Sequence, residues 1–132
     1  MTRPVVVITG RHRPHEVLLL VVSLVTGLAY TIGAPPPQSV TALLPGWAVR
    51  VWAVGLAVSG VIGLVGVFTR RGWSLQVEQA AMLLGAAALI WYTAAALPFG
   101  WRALFAGAVS IGWAVANLTR AAQIRRDLKD LR

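Results

Sequence analysis

Four apolar stretches joined by short connections, with basic residues gathered at alternate ends, leave this chain of 132 residues very few folds to choose from. Ten of its twelve basic residues fall in three places: Arg3, Arg11 and Arg13; Arg70 and Arg71; and Arg120, Arg125, Arg126, Lys129 and Arg132. The two remaining connections carry only Arg50 and Arg102. Positively charged segments stay on the cytoplasmic side, so the alternation predicts four transmembrane helices with both termini in the cytoplasm. The expected spans are 14–33, 46–69, 72–97 and 100–120, each near the roughly 20 residues that cross a bilayer core of about 30 Å.

With 58% hydrophobic and only 12% charged residues, the chain has no room for a separate soluble domain. The reading is all-α: one membrane domain over 1–132, an integral four-helix bundle made of two tandem helical hairpins. Residues 1–13 form a cytoplasmic arm, and 121–132 continue the last helix as a basic amphipathic tail. A net charge of +8 would suggest nucleic acid in a soluble protein. Here the charges flank spans, so topology and anionic lipid headgroups account for them, and nucleic acid is not expected as a partner. There is no cysteine, which excludes disulfides and thiolate metal sites. Arginine outnumbers lysine eleven to one, a bias that suggests a GC-rich bacterial or bacteriophage gene. The expected location is the inner (cytoplasmic) membrane, multi-pass.

Pro14 suits the first turn of the first span, where its missing N–H is not needed, and Glu16 suits the positive end of the helix dipole. A secretory signal is the competing reading of this segment. The apolar run is long for that, three more follow it, and proline directly follows Ala34; an uncleaved span is expected. The uncharged loop 34–46 contains Pro35, Pro36 and Pro37, which favour extended polyproline backbone, with 40–44 dipping into the interface. The aromatics Tyr30, Trp47, Trp52, Trp91, Tyr92, Phe99 and Trp101 would mark the outer membrane face and Phe68 and Trp73 the inner one. Of these, Trp47, Trp73, Trp91 and Trp101 are the expected interface anchors. Trp113, deep in the last span, reads as a packing residue.

Small residues recur at intervals of four: Gly55, Ser59 and Gly63 in the second span, Ala106, Ser110 and Ala114 in the fourth. Such stripes let helix backbones approach closely where lipid removes the hydrophobic drive. They serve either packing within one bundle or a seam between copies in a homo-oligomer. Ala81, Gly85 and Ala88 offer a further stripe to either arrangement. A short repeat is also visible: Glu16 and Glu78 are each followed fourteen residues later by a Tyr-Thr pair, Tyr30-Thr31 and Tyr92-Thr93. Duplication and convergent interface chemistry both account for it.

Glu78 stands out because an ionisable group inside a span is a functional hypothesis by default. It pairs either with Arg70, Arg71 or the basic ends of the first or fourth span, or it forms a proton-coupled site with Glu16. Asn117 is placed to hydrogen-bond another helix. His12 and His15 lack companions at metal spacing, and no metal or cofactor is expected. No nucleophile–base pair, carboxylate cluster or phosphate loop stands clear of the apolar background, so the chain does not read as an enzyme. In the tail, Ile124, Leu128 and Leu131 form one apolar face that lies on anionic lipid by default, or else packs on the cytoplasmic loop or docks a partner.

Taken whole, the chain resembles the small four-span membrane proteins of bacteriophages of GC-rich actinobacterial hosts. The resemblance is carried by Arg13-Pro14-His15-Glu16, by the loop Ala34-Pro35-Pro36-Pro37-Gln38-Ser39 and by Gln123-Ile124-Arg125-Arg126-Asp127-Leu128. It implies a holin-like protein that self-associates and permeabilises the inner membrane. An accessory or structural membrane protein fits the same features. The alternative is a small multidrug-type proton-coupled transporter, which would rely on a glutamate within the first span, whereas Glu16 lies at its edge. The topology itself is testable: reporter fusions at Gln38 and after Arg132 should land on opposite sides of the membrane, and both on one side would refute it.

Overall fold

The computed structural model describes residues 14–69 and 73–130, and these are almost entirely helical. The expectations for the arm 1–13, for Arg70 and Arg71, and for Leu131 and Arg132 lie outside the described residues. The elements are α1 (Pro14–Thr31), α2 (Gln38–Leu43), α3 (Gly46–Phe68), α4 (Ser74–Ala96), a 3-10 turn (Leu97–Phe99) and α5 (Trp101–Asp130). Pro14–Thr31, Gly46–Phe68 and Ser74–Phe99 are long and apolar enough to cross a membrane. Helix α5 has 30 residues without interruption, about 45 Å at about 1.5 Å per residue.

Local chemistry sets the boundaries. Pro14 opens α1 with Glu16 in its first turn. Gly33 closes it at φ +118, where glycine alone is unstrained, and the amide of Ala34 donates back to Ala29 O at 2.9 Å, a Schellman closure. Pro45 sits outside the first turn of α3, with φ −62 and ψ 152. Pro98 and Gly100, the latter at φ +59, make the turn into α5. Thr31, Thr93 and Thr119 each donate their hydroxyl to the carbonyl four residues back, at 2.7, 2.9 and 2.8 Å. Each thus hides a polar group within its own helix, as an apolar surrounding demands.

The loop 34–46 differs from the sequence expectation. Residues 34–37 and 44–45 are non-helical; Gln38–Leu43 forms a short helix, and Val40 is fully buried. Val40 joins Trp52, Ala53, Leu56 and Ala88 in one apolar cluster. The loop therefore plugs one end of the molecule, because burying Val40 is worth more than leaving it at an interface.

Helices α1 and α3, α3 and α4, and α4 and α5 pack side by side, whereas α1 and α5 are not closely packed. Each pair runs antiparallel: Gly66 of α3 meets Glu78 of α4 near one end, and Trp52 meets Ala88 near the other. Large aliphatic and aromatic side chains point outward, among them Leu18, Val25, Val51, Val61, Leu104 and Phe105. The interior is small and partly polar: Ala53, Ala57, Ser59, Ala81, Ala86 and Ala114 are buried. This inverts the pattern of a water-soluble core and matches helices whose outer faces meet lipid.

The four-residue stripes divide between neighbours. Ser59 faces α4, donating to Ala81 O at 3.1 Å, while Gly63 faces the side chain of Leu20 on α1. Gly55 belongs to neither contact, since a Cβ there would meet nothing within 4 Å. The close approaches to a neighbouring backbone lie elsewhere. A Cβ on Gly60 would come within 2.6 Å of Leu24 N, and one on Gly27 within 2.7 Å of Ala53 O. On α5, Ser110 and Ala114 are buried together with Asn117, Ala121 and Ile124, whereas Ala106 is only half-buried. Ile124 thus packs on protein rather than lying on lipid.

Backbone neighbours cannot yield as side-chain ends can. Gly27→Ala and Gly60→Ala should each lower stability by about 1–3 kcal/mol through overpacking. Gly55→Ala should be neutral or stabilise by up to about 1 kcal/mol through helix propensity. Thermal melting in detergent decides; equal melting of all three variants would place the α1–α3 contact elsewhere.

Candidate functional site

At one end of the molecule three helices converge on a single guanidinium. Arg120 of α5 donates from Nε and Nη2 to Glu78 Oε1 at 2.9 and 2.7 Å. Its Nε also lies 3.6 Å from Glu16 Oε2 of α1. The Glu78 side chain is fully buried, and its Oε2 has no hydrogen-bond partner among the described residues. Two of the chain's four acidic residues therefore share one arginine. Beside it, Gln79 Nε2 donates to Ala121 O at 3.3 Å, a second tie between α4 and α5.

Glu78 gets this close to the core because its neighbour on α3 is Gly66. A Cβ at Gly66 would lie 2.8 Å from Glu78 N, so only glycine admits the α4 backbone there. One level further along, Gly85 does the same for two polar groups. A Cβ on Gly85 would meet Ser59 Oγ at 2.7 Å and Asn117 Nδ2 at 3.0 Å. Helices α3 and α5 thus both present polar side chains to one glycine of α4.

The other end is aromatic. Tyr30 of α1 and Tyr92 of α4 both stack against Trp52, with ring centroids 5.5 and 5.9 Å away. Trp52 Nε1 donates to Ala88 O at 3.0 Å, which satisfies the one polar group of the buried indole. Trp52 was expected at the membrane face. Stacking and this hydrogen bond hold it inside instead.

Between the two ends runs a groove with α1 and α5 as its walls. It contains a cavity of about 210 Å³ beside Glu16, Asn117 and Arg120 and one of about 300 Å³ beside Ser23, Tyr30, Trp52 and Trp113. The groove exists because both walls have spent their tight faces elsewhere, α1 on α3 and α5 on α4.

Of the residues singled out in the sequence, Glu16 and Glu78 are brought together, and their partner is Arg120, at the basic end of the last long helix. Ser59, Gly63, Ser110 and Ala114 lie at helix contacts; Gly55 does not, and Ala106 lines the groove. Trp47, Trp73, Trp91 and Trp101 are exposed, as anchors at a membrane surface would be. Sequence reasoning offered the basic end of the fourth span as one partner for Glu78 but did not single out Arg120 among its five clustered cations. It also passed over Gly27, and it read Trp52 only as one of the interface aromatics. The matched Glu…Tyr-Thr spacing was the available signal, since it places both carboxylates at one depth and both tyrosines at another. Comparison with protein-family models, curated proteins and solved structures finds no match to this chain.

Removing the shared cation should cost more than removing one carboxylate. Arg120→Gln leaves two carboxylates in a water-poor interior, and a loss of about 3–5 kcal/mol is expected. Glu78→Gln keeps an oxygen acceptor for the guanidinium, and a loss of about 1 kcal/mol is expected. Melting of both variants in the same detergent tests the order; the reverse order would make Glu78, not Arg120, the keystone.

Proposed function

We propose that this chain is a non-enzymatic, four-span protein of the cytoplasmic membrane, with both termini in the cytoplasm, that works by association of its helices. In this reading α1, α3, α4 and α5 are the spans and form two tandem hairpins. The basic end of α5 lies among anionic headgroups. The observation that carries it is the inverted packing: aliphatic side chains outside, glycine, alanine and serine inside. A holin-like role, in which copies assemble and permeabilise the membrane, or an accessory membrane role accords with the small size and with the bacteriophage-like character of the sequence. Outward-facing glycines favour self-association. A Cβ at Gly55, Gly107 or Gly112 would meet nothing within 4 Å, which leaves these backbones open to another helix.

A second reading, a small multidrug-type proton-coupled transporter, is favoured by one observation. Glu16 and Glu78 both engage Arg120 beside an open groove.

Because the chain has no cysteine, one introduced thiol is a unique probe. Phe105 is 82% exposed on α5. Phe105→Cys should fractionate with the inner membrane and give a disulfide-linked dimer under mild oxidant. Entry of a membrane-impermeant dye on induction separates the roles: entry supports the holin-like one, and intact membranes support the accessory one. Monomers throughout, with no dye entry, would defeat self-association.

A further inference from the structure

We propose that the aromatic end of the α1–α5 groove binds a neutral planar ring bearing carbonyl oxygens, the chemistry of a membrane quinone, whose apolar tail leaves between the two helices into lipid. The proposal rests on the membrane reading but not on self-association.

Unpaired hydroxyls carry it. In an apolar surrounding, a helical serine or threonine ordinarily hides its hydroxyl by donating to the carbonyl one turn back. Thr31, Thr93 and Thr119 do so, and Ser59 donates across to Ala81 O. Ser23 of α1 and Ser110 of α5 do neither. They are only 4% and 8% exposed, they hydrogen-bond to no described residue, and both line the cavity of about 300 Å³. Thr26 lines it too and is likewise without a hydrogen bond to a described residue. A buried donor without an acceptor is costly, and what relieves these donors is an oxygen acceptor supplied from within the cavity. Trp113 adds to the same wall an indole N–H, which can donate but never accept.

Charge and shape narrow the class further. Among the described residues lining this cavity none is acidic, basic or a histidine. Glu16, His15 and Arg120 line the other cavity, and Glu16 lies seven residues before Ser23 on α1, about 10 Å away at about 1.5 Å each. An ion beside Ser23 and Ser110 would lack a counter-charge in a medium of low dielectric, so the occupant is neutral. Tyr30, Trp52, Tyr92 and Trp113 supply flat faces, against which a planar ring packs well. The volume of about 300 Å³ is at the small end of the roughly 300–1,000 Å³ of ligand sites. It suits a ring without a long chain. A tail has a way out, because α1 and α5 do not close on each other, and Phe105 and Val109 on the cavity wall are exposed on the outside.

Other occupants fit less well. An acyl chain, or an apolar helix of a second copy, would cover the rings but leave both serine protons unanswered. A lipophilic cation would bring its charge to a cavity with no carboxylate on its wall.

Decylubiquinone, a benzoquinone with an alkyl tail, is the probe. Titrated into protein in maltoside at fixed detergent concentration, it should quench tryptophan emission saturably, at one site per chain. Decylbenzene, which has a ring and the tail but no carbonyls, should not displace it, and neither should tetraphenylphosphonium. Ser23→Ala and Ser110→Ala should each weaken binding about fivefold, the scale of one neutral hydrogen bond. Ala106→Phe, which fills the cavity and adds no tryptophan, should abolish binding while the protein still melts cooperatively. If one serine variant fails to fold, the other and Ala106→Phe decide the matter. No saturable quenching by protein that melts cooperatively overturns the proposal, as does binding that both serine variants leave unchanged. Displacement by decylbenzene would make the cavity an acyl-chain groove, and displacement by tetraphenylphosphonium a cation site; either overturns it. A chain that stays in solution without detergent would instead overturn the membrane reading itself.

Discussion

One guanidinium sets the relative positions of three helices. Arg120 is bonded to Glu78 on α4 and sits at ion-pair distance from Glu16 on α1, and α1 has no close packing against α5 to hold it otherwise. An ion trio inside an apolar molecule contributes little net stability, because desolvating three charges cancels most of their attraction. What it contributes is geometry. A misplaced α1 or a slipped α5 would strand a charge where neither water nor another partner is at hand, so alternative registers are penalised far more than the correct one is rewarded.

The rest of the interior is arranged to make that trio reachable. Gly66 lets the start of α4 close onto α3 and brings Glu78 inward; Gly85 leaves room for Ser59 and Asn117. Gly27 and Gly60 seat α1 against α3. At the opposite end the constraint is stacking rather than charge: Trp52 stacks with both Tyr30 and Tyr92 and is fixed by its hydrogen bond to Ala88 O. The two ends are pinned by different chemistries, and the middle is held by close backbone contact.

Much of this was legible in the residues, and the part that was not has a physical reason. Helix bounds follow from Pro14, Gly33, Pro45 and Gly100, whose backbone preferences act locally. The inward turn of Val40 did not follow, because three prolines state only where helix stops, and the short helix after them is stabilised by tertiary burial. The spacing of small residues identified helices that approach closely, yet not which face meets which neighbour. Gly55 shares the interval of Ser59 and Gly63 but points away from both α1 and α4. Arg120 was hidden by its own company. Its charge reads as topology until the helix turn that carries it is seen to face Glu78, whereas Arg125 and Arg126 are exposed.

The repeated Glu…Tyr-Thr spacing gains a physical meaning from these contacts, whatever its ancestry. Glu16 and Glu78 address one arginine, and Tyr30 and Tyr92 address one tryptophan, so α1 and α4 present the same two groups at the same separation. Under an exact pairing of the hairpins, α1 would pack on α5 as closely as α4 packs on α3. It does not, because the features that close α3 onto α4 have no counterpart between α1 and α5. On the closed side, Gly66 admits the Glu78 backbone, and Ser59 and Trp52 each donate to a carbonyl of α4. On the open side, Arg120 holds Glu16 only at 3.6 Å, and Ser23 and Ser110 line a cavity. The groove is therefore where a near-repeating arrangement fails to repeat, and Glu16 lies along it.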